Sequence, residues 1–346
     1  MSAQASIPHP GAVTTSVREA TMRAVVQVRY GGPDVLSLAD VARPMIGDDE
    51  VLVRVHAAGV ARGDWHLMTG RPLLVRAMGF GLRRPKSPTV GQDLAGTVEA
   101  VGAAVATLAP GDEVYGFGRS AYAEYAAAKV TDLIAKPDRL SFEQAATVGI
   151  SGMTALQAVR DAGKVGEGTS VLITGAGGGV GTYAVQIAAA HGGTVTAATS
   201  TPKLELARSL GADDVIDTSR VDLARLGRRW DVIIDTAGRR PLRHITRILA
   251  PRGTAVFVGG EGGGLILGGF DRHFRAMALS RFIGQDLKML VNAELGSDVA
   301  VLDEMIRAET LTPVVDRVYP LAEVAEAMRH LESGRVAGKL ALRVIG

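Results

Sequence analysis

Residues 171–181, VLITGAGGGVG, together with the TYAVQIAAAHGGTVTAATS that follows to Ser200, decide the reading of this chain. VLIT is a short apolar run of the kind a buried strand shows. A cluster of glycines follows, then an Ala-rich helical pattern, then a second apolar, Thr-rich strand. Strand, glycine turn, helix and strand in that order make the βαβ unit that seats the pyrophosphate of a dinucleotide on a helix N-terminus.

Composition sets the frame around that unit. At roughly 150 residues per domain, 346 residues imply two domains, and the 47% hydrophobic content supplies two cores. The chain has no cysteine. That excludes disulfides, thiolate nucleophiles, iron–sulfur clusters and every Cys-ligated zinc site, and it fits a cytoplasmic location. The net charge is only +2 and the basic residues are dispersed, unlike the clustered footprint of a nucleic-acid binder. No stretch approaches the roughly 18 apolar residues of a membrane span. Residues 1–20 lack an apolar segment and read as a disordered leader rather than a secretion signal.

Before the fingerprint, MRAVVQVRY, EVLVRVHAAGV, LAGTVEAVG and DEVYGFG are short β-rich runs separated by turn signals, among them Pro110-Gly111-Asp112. From about Ser151 strands and helices alternate. The strands are SVLITG, TVTAATS, DDVIDT, DVIIDTAG, TAVFVGG and SRFIGQD, which predicts a parallel, doubly wound sheet. One helix reads with Thr201 as N-cap, Pro202 at the first helical position and Gly211 just past its end. The last 60 or so residues carry helix, strand, helix and strand, and are expected to rejoin the first domain. The expected division is a leader over 1–20, a barrel-like domain over 21–148 and 286–346, and a cofactor domain over 149–285.

Against the G-x-G-x-x-G pattern the loop reads Ala176, Gly178, Gly181. Gly175, Gly177 and Gly179 keep the turn tight, Gly178 admits the pyrophosphate, and Gly181 packs helix on strand. Gly175, Gly178, Gly179, Val180 and Gly181 are thus the expected phosphate cradle. An NAD site carries Asp or Glu about 20 residues on; here stand Ser200, Thr201 and Lys203. Hydroxyls and an ammonium suit a 2′-phosphate that a carboxylate would repel. This favours NADPH over NADH, although Thr201 can equally be a helix cap and Lys203 a solvated surface charge.

These residues resemble the medium-chain dehydrogenase/reductase superfamily, more narrowly its zinc-independent quinone oxidoreductase-like branch. Beyond the fingerprint, the resemblance rests on AAGVARGDWHLMTGRP, SPTVGQDLAGTVEAVG, PGDEVYGFG, ISGMTALQAV, SLGADDVIDT and VAEAMRHLESGRVAGKLALRV. It implies an α/β chain in which a doubly wound parallel Rossmann sheet is inserted in a GroES-like irregular β-barrel domain, and a homodimer. It also implies that Thr154, Gly259 and Lys339 face the cofactor. Zinc-dependent relatives place Cys and a Gly-His-Glu where this chain has Ala61 and Gly91-Gln92-Asp93. No metal is therefore expected.

Without a Lewis acid, hydride transfer is easiest to quinones and α,β-unsaturated carbonyls, whose charge spreads onto oxygen. The expected activity is an NADPH-dependent quinone or enone oxidoreductase. Two alternatives stay open: a metal-independent alcohol dehydrogenase or ketone reductase, and an NADPH-binding protein with little turnover. The catalytic residues are not legible. Ala61, Asp64, Trp65 and His66 are the cleft candidates, with Asp64 reading more simply as a loop-holding carboxylate and Trp65 as either packing or a substrate wall. Tyr122 and Tyr125 read as core or turn residues. The segment 71–88, with Arg83, Arg84 and Lys86, is either a lid or a solvated basic loop. EGGGLILGG after Gly260 is either an edge strand for dimer pairing or a surface loop.

Overall fold

The computed structural model describes residues 20–260, 264–291, 293 and 295–345. The expected leader thus lies outside the described residues except for Ala20. The first strands are β1 (Thr21–Gln27), β2 (Leu36–Ala42), β3 (Glu50–Val60), β4 (Asp93–Val101), β5 (Glu113–Phe117), β6 (Tyr125–Lys129) and β7 (Leu133–Ala135). They are followed by β8 (Ser170–Thr174), β9 (Thr194–Thr199), β10 (Asp214–Asp217), β11 (Trp230–Asp235), β12 (Leu249–Phe257) and β13 (Asp286–Met289). β14 (Val315–Pro320) and β15 (Lys339–Arg343) close the chain.

β1 and β2 form an antiparallel ribbon. A seven-stranded sheet runs β14-β15-β3-β4-β5-β7, with β6 paired to β3. β15 lies antiparallel to β3, with Leu340 opposite Val60. The remaining six strands run β10-β9-β8-β11-β12-β13, all parallel. Strand order reverses between β8 and β11, so a crevice opens at their carboxyl ends, where ligands of doubly wound sheets bind.

β8 is apolar on both faces because both are covered: Val171, Leu172 and Ile173 have no exposed surface. The glycine turn leads into the helix Gly179–Ala190, whose Tyr183, Ala184, Val185, Ile187 and Ala188 are buried. Its small residues let the helix lie close against the sheet.

Two expectations need correction. SRFIGQD is not a strand: Ser280 ends the helix Phe270–Ser280, Phe282 is 85% exposed, and the paired residues are 286–289. The inward apolar residue is Leu287, so a boundary at 285/286 cuts off the sheet's last strand. Thr201 is not an N-cap. It opens a 3₁₀ turn, Thr201–Lys203, before the helix Leu204–Ser209, and its hydroxyl donates to Asp217 at 2.5 Å. Gly211 takes φ +96° past that helix, as expected of a terminator.

The described part of the EGGGLILGG run folds back on its own chain. Gly264 and Gly268 form a bridge, and the N–H groups of Leu73 and Leu74 donate to the carbonyls of Leu265 and Ile266 at 3.0 Å.

Candidate active site

A cavity of about 840 Å³ lies between the carboxyl ends of the parallel strands and the barrel-like part. Its floor is the glycine turn. Gly175 takes φ +70°, donates to Ala198 O, and accepts from the Gly178 N–H at 2.9 Å. A Cβ on Gly181 would lie 2.2 Å from Gly175 O, so only glycine lets helix and strand meet. At Gly178 the nearest atom to an added Cβ is Gly175 O at 3.3 Å, a tight contact but far looser than that at Gly181, and this glycine lines the cavity. The first-turn N–H groups of the helix Gly179–Ala190 have no partners within the helix and offer an anion site at its positive end.

The structure gathers most of the expected cofactor residues on this cavity: Thr154, Gly175, Gly178, Gly179, Val180, Ser200, Lys203, Gly259 and Lys339 line it. Gly181 and Thr201 do not. Gly181 is consumed by packing, and Thr201 turns to Asp217. The Lys203 ammonium does not stand open beside Ser200. It donates to Val336 O at 2.5 Å and Gly334 O at 3.3 Å, and burial holds its pKa below the usual lysine value.

Ala61 and His66 line the cavity, while Asp64 and Trp65 do not. Asp64 is buried at the start of the helix Arg62–Thr69 and accepts from the Ala61 N–H at 2.9 Å and the Tyr122 hydroxyl at 2.8 Å. Burial pushes its pKa up to about 6. Trp65 donates its indole N–H to Glu332 at 2.7 Å, bridging to the C-terminal helix Val324–Glu332. His66 Nδ1 lies 2.7 Å from the Arg71 carbonyl oxygen, which assigns the hydrogen to that nitrogen. Among the described residues, none of 71–88 lines the cavity.

Lys339 is the deepest cation. It is buried, its stem passes Gly179, and its Nζ donates to Ser151 at 2.8 Å and lies 3.4 Å from Asp93. Asp93 also accepts from the Ile150 N–H at 2.7 Å.

Sequence reasoning missed Arg62, Ser151, Thr218, Arg239, Arg240 and His244, which also line the cavity. Arg239 and Arg240 follow DVIIDTAG at the carboxyl end of a parallel strand, the position that would have flagged them. Among the described residues the lining holds five Lys or Arg side chains and no Asp or Glu.

Comparison with known proteins agrees with this architecture. Residues 47–138 match the family model of the alcohol dehydrogenase GroES-like domain, and residues 210–342 match that of a zinc-binding dehydrogenase. Human quinone oxidoreductase is 32% identical over 93% of this chain and 97% of its own. The 2-methylene-furan-3-one reductase of Solanum lycopersicum is 32% identical over 94% of this chain and 79% of its own. A mycobacterial protein solved in complex with NADPH superposes with a TM-score of 0.79 at 27% identity, covering 93% of this chain and 100% of that one.

The zinc in the second family description does not fit the residues present. Zinc takes three or more Cys, His or carboxylate donors, and among the described residues no three such groups come together. Ala61 offers a methyl, and Asp93 is bonded to Ile150 N–H and close to the Lys339 ammonium. The GroES-like barrel, the parallel sheet and the whole-length likeness to quinone oxidoreductases establish that the chain belongs to the medium-chain dehydrogenase/reductase superfamily, and within it to the quinone oxidoreductase-like members.

Proposed function

We propose that this oxidoreductase uses NADPH to reduce quinones or α,β-unsaturated carbonyls without zinc. The observation that carries the cofactor is the cavity lining, cationic and free of carboxylates among the described residues. A 2′-phosphorylated dinucleotide is a polyanion, and a site of this sign attracts it and penalises nothing on it. The NADPH complex of the mycobacterial neighbour supports the same reading.

The Gly178–Gly179 backbone at the helix N-terminus would hold the pyrophosphate, and the Ser200 end the ribose phosphate. Thr154 and Gly259 would flank the nicotinamide. Bound there, the reduced nicotinamide supplies a hydride. Val60, Ala61 and Leu290 are apolar residues of the lining that would exclude water and seat a conjugated carbonyl. His66 lines the cavity with its Nδ1 held at the Arg71 carbonyl, which makes its ring the candidate to protonate the enolate or quinol oxygen. The names of the human and tomato relatives agree with such acceptors.

The test is a comparison of NADPH and NADH oxidation with a simple quinone, an enone and a saturated ketone, each with and without a chelator. Turnover of quinone or enone with NADPH, indifferent to chelator, is expected. Tight NADPH binding without turnover on any acceptor would overturn the proposal, and equal rates on the saturated ketone would move it to a ketone reductase.

We also propose a homodimer. Leu265, Ile266 and Leu267 are 57%, 66% and 38% exposed on a hairpin tip, an apolar surface suited to a second copy. Sedimentation giving a monomer at micromolar concentration would refute it.

A further inference from the structure

The segment 71–88, basic in sequence and absent from the cavity lining, is pinned into a definite shape. The Tyr30 hydroxyl lies 2.9 and 2.6 Å from the Phe80 and Gly81 carbonyl oxygens, and the Lys86 N–H donates to Phe80 O at 2.9 Å. Gly81 takes φ +109°, and a Cβ there would lie 2.1 Å from Arg84 O, so residues 80–86 close into a turn that requires glycine. Arg76 stacks on the Tyr30 ring at 4.3 Å and donates to Gly70 O at 2.9 Å. At the far end the Gln27 N–H donates to Pro88 O at 2.7 Å, and Val26 bridges to Thr89. The segment is thus held at both ends and across its neck.

This pinned turn shows apolar side chains to water. Met78, Phe80 and Leu82 are 62%, 44% and 71% exposed, and Arg83, Arg84 and Lys86 stand exposed beside them. Residues 65–92 hold no Asp or Glu, and among the described residues Arg83, Arg84 and Lys86 belong to no ion pair. Exposed Val28 and Arg29 follow β1 at the Gln27 contact and continue the same mixture of apolar and cationic side chains. A solvated loop has no need of three apolar tips on a fixed turn. A two-fold contact between copies through this turn would set its cations against each other. An anionic bilayer satisfies both features at once, taking the apolar tips at the headgroup boundary and the cations at its lipid phosphates.

We infer that the turn 78–86 docks this protein on an anionic membrane surface, with Met78, Phe80 and Leu82 entering the headgroup boundary and Arg83, Arg84 and Lys86 meeting lipid phosphates. The inference is independent of the cofactor and acceptor readings above. It also uses none of the hairpin residues Leu265, Ile266 and Leu267, which adjoin only the start of the segment, at Leu73 and Leu74. Each cation beside an anionic leaflet contributes about fivefold in partitioning. Docking through three of them is reversible and weakens with salt.

The experiment is vesicle co-sedimentation of the full chain with phosphatidylcholine alone and with equal parts phosphatidylcholine and phosphatidylglycerol, at low and at high salt. The variants are the triple Arg83→Ser/Arg84→Ser/Lys86→Ser and the double Phe80→Ser/Leu82→Ser, whose backbone contacts stay in place; thermal unfolding checks the fold of each. The wild type is expected to partition to the anionic vesicles at least about tenfold more strongly than to the neutral ones, with the difference shrinking at high salt. The triple variant should lose about tenfold or more on anionic vesicles, and the double variant should lose affinity at both salt concentrations, since apolar burial is not screened. Equal partitioning of the wild type to both vesicles overturns the inference. Folded variants that bind like wild type overturn it by placing the contact elsewhere. Variants that change the sedimenting mass of the vesicle-free protein overturn it in favour of an interface between copies.

Discussion

Tyr122 donates its hydroxyl hydrogen to the Asp64 carboxylate across 2.8 Å, inside the fold and directly behind the cavity wall. Burial is the main reason the Asp64 pKa rises from 3.8 to about 6, with the nearby Asp93 charge adding to it. The folded protein therefore binds this proton more tightly than the unfolded chain does. Stability from Asp64 is fully present below about pH 4 and is lost as pH rises through 6, by about 3 kcal/mol over two units. Asp64→Asn removes that loss and keeps an oxygen for Ala61 and Tyr122. The difference in unfolding free energy, variant minus wild type, should grow between pH 4 and 7. A difference that is flat over that range would contradict the burial argument.

The Lys339–Asp93 pair makes a second prediction. Both side chains are almost wholly buried, 3.4 Å apart. Lys339→Met leaves Asp93 as a buried charge with only its Ile150 N–H and other local partners, and should cost about 3–5 kcal/mol. Adding Asp93→Asn should restore much of the loss, because the uncompensated charge is then gone. Denaturant midpoints of the two single variants and the double variant measure the coupling. Additive losses would show that the two residues do not act as a pair.

How much of this was legible in the chain follows from where each signal comes from. Residues 171–181 announce the turn because apolar strand, glycine and helix periodicity are all local. The terminal strand KLALRV was legible for the same reason, while its pairing with β3 is a long-range contact that no local pattern names. The end of the parallel sheet was not. Phe282 and Ile283 look like strand residues, but a buried strand is defined by its neighbours, and β12 pairs with 286–289. Lys203 was found by its spacing, while the direction of its ammonium depends on carbonyls more than 130 residues away. Arg239 and Arg240 escaped because they carry no motif and reach the cavity only through the strand order.

His66 supplies a prediction about the proton. If it protonates the product oxygen, His66→Phe should lower kcat about 10²-fold or more with a smaller effect on the dissociation constant of NADPH, since the ring lines the cavity apart from the glycine turn. A kcat close to wild type would assign the proton to solvent.

Gly178 and Gly181 separate binding from folding within one loop. An alanine Cβ at Gly181 would sit 2.2 Å from Gly175 O, backbone that cannot move without shifting the end of β8. Gly181→Ala should therefore destabilise the protein by about 1–3 kcal/mol or more. At Gly178 the nearest atom, Gly175 O, is 3.3 Å away, and its φ of −96° suits alanine, so Gly178→Ala should cost about 1 kcal/mol, for the tight contact and the poorer N-cap, and less than Gly181→Ala. Its methyl would instead stand where the pyrophosphate approaches the helix N-terminus. Thermal unfolding without ligand, followed by NADPH titration, distinguishes the two sites. Gly178→Ala should melt above Gly181→Ala yet bind NADPH at least about tenfold more weakly. A Gly178→Ala variant that binds NADPH normally would remove the pyrophosphate from this end of the helix.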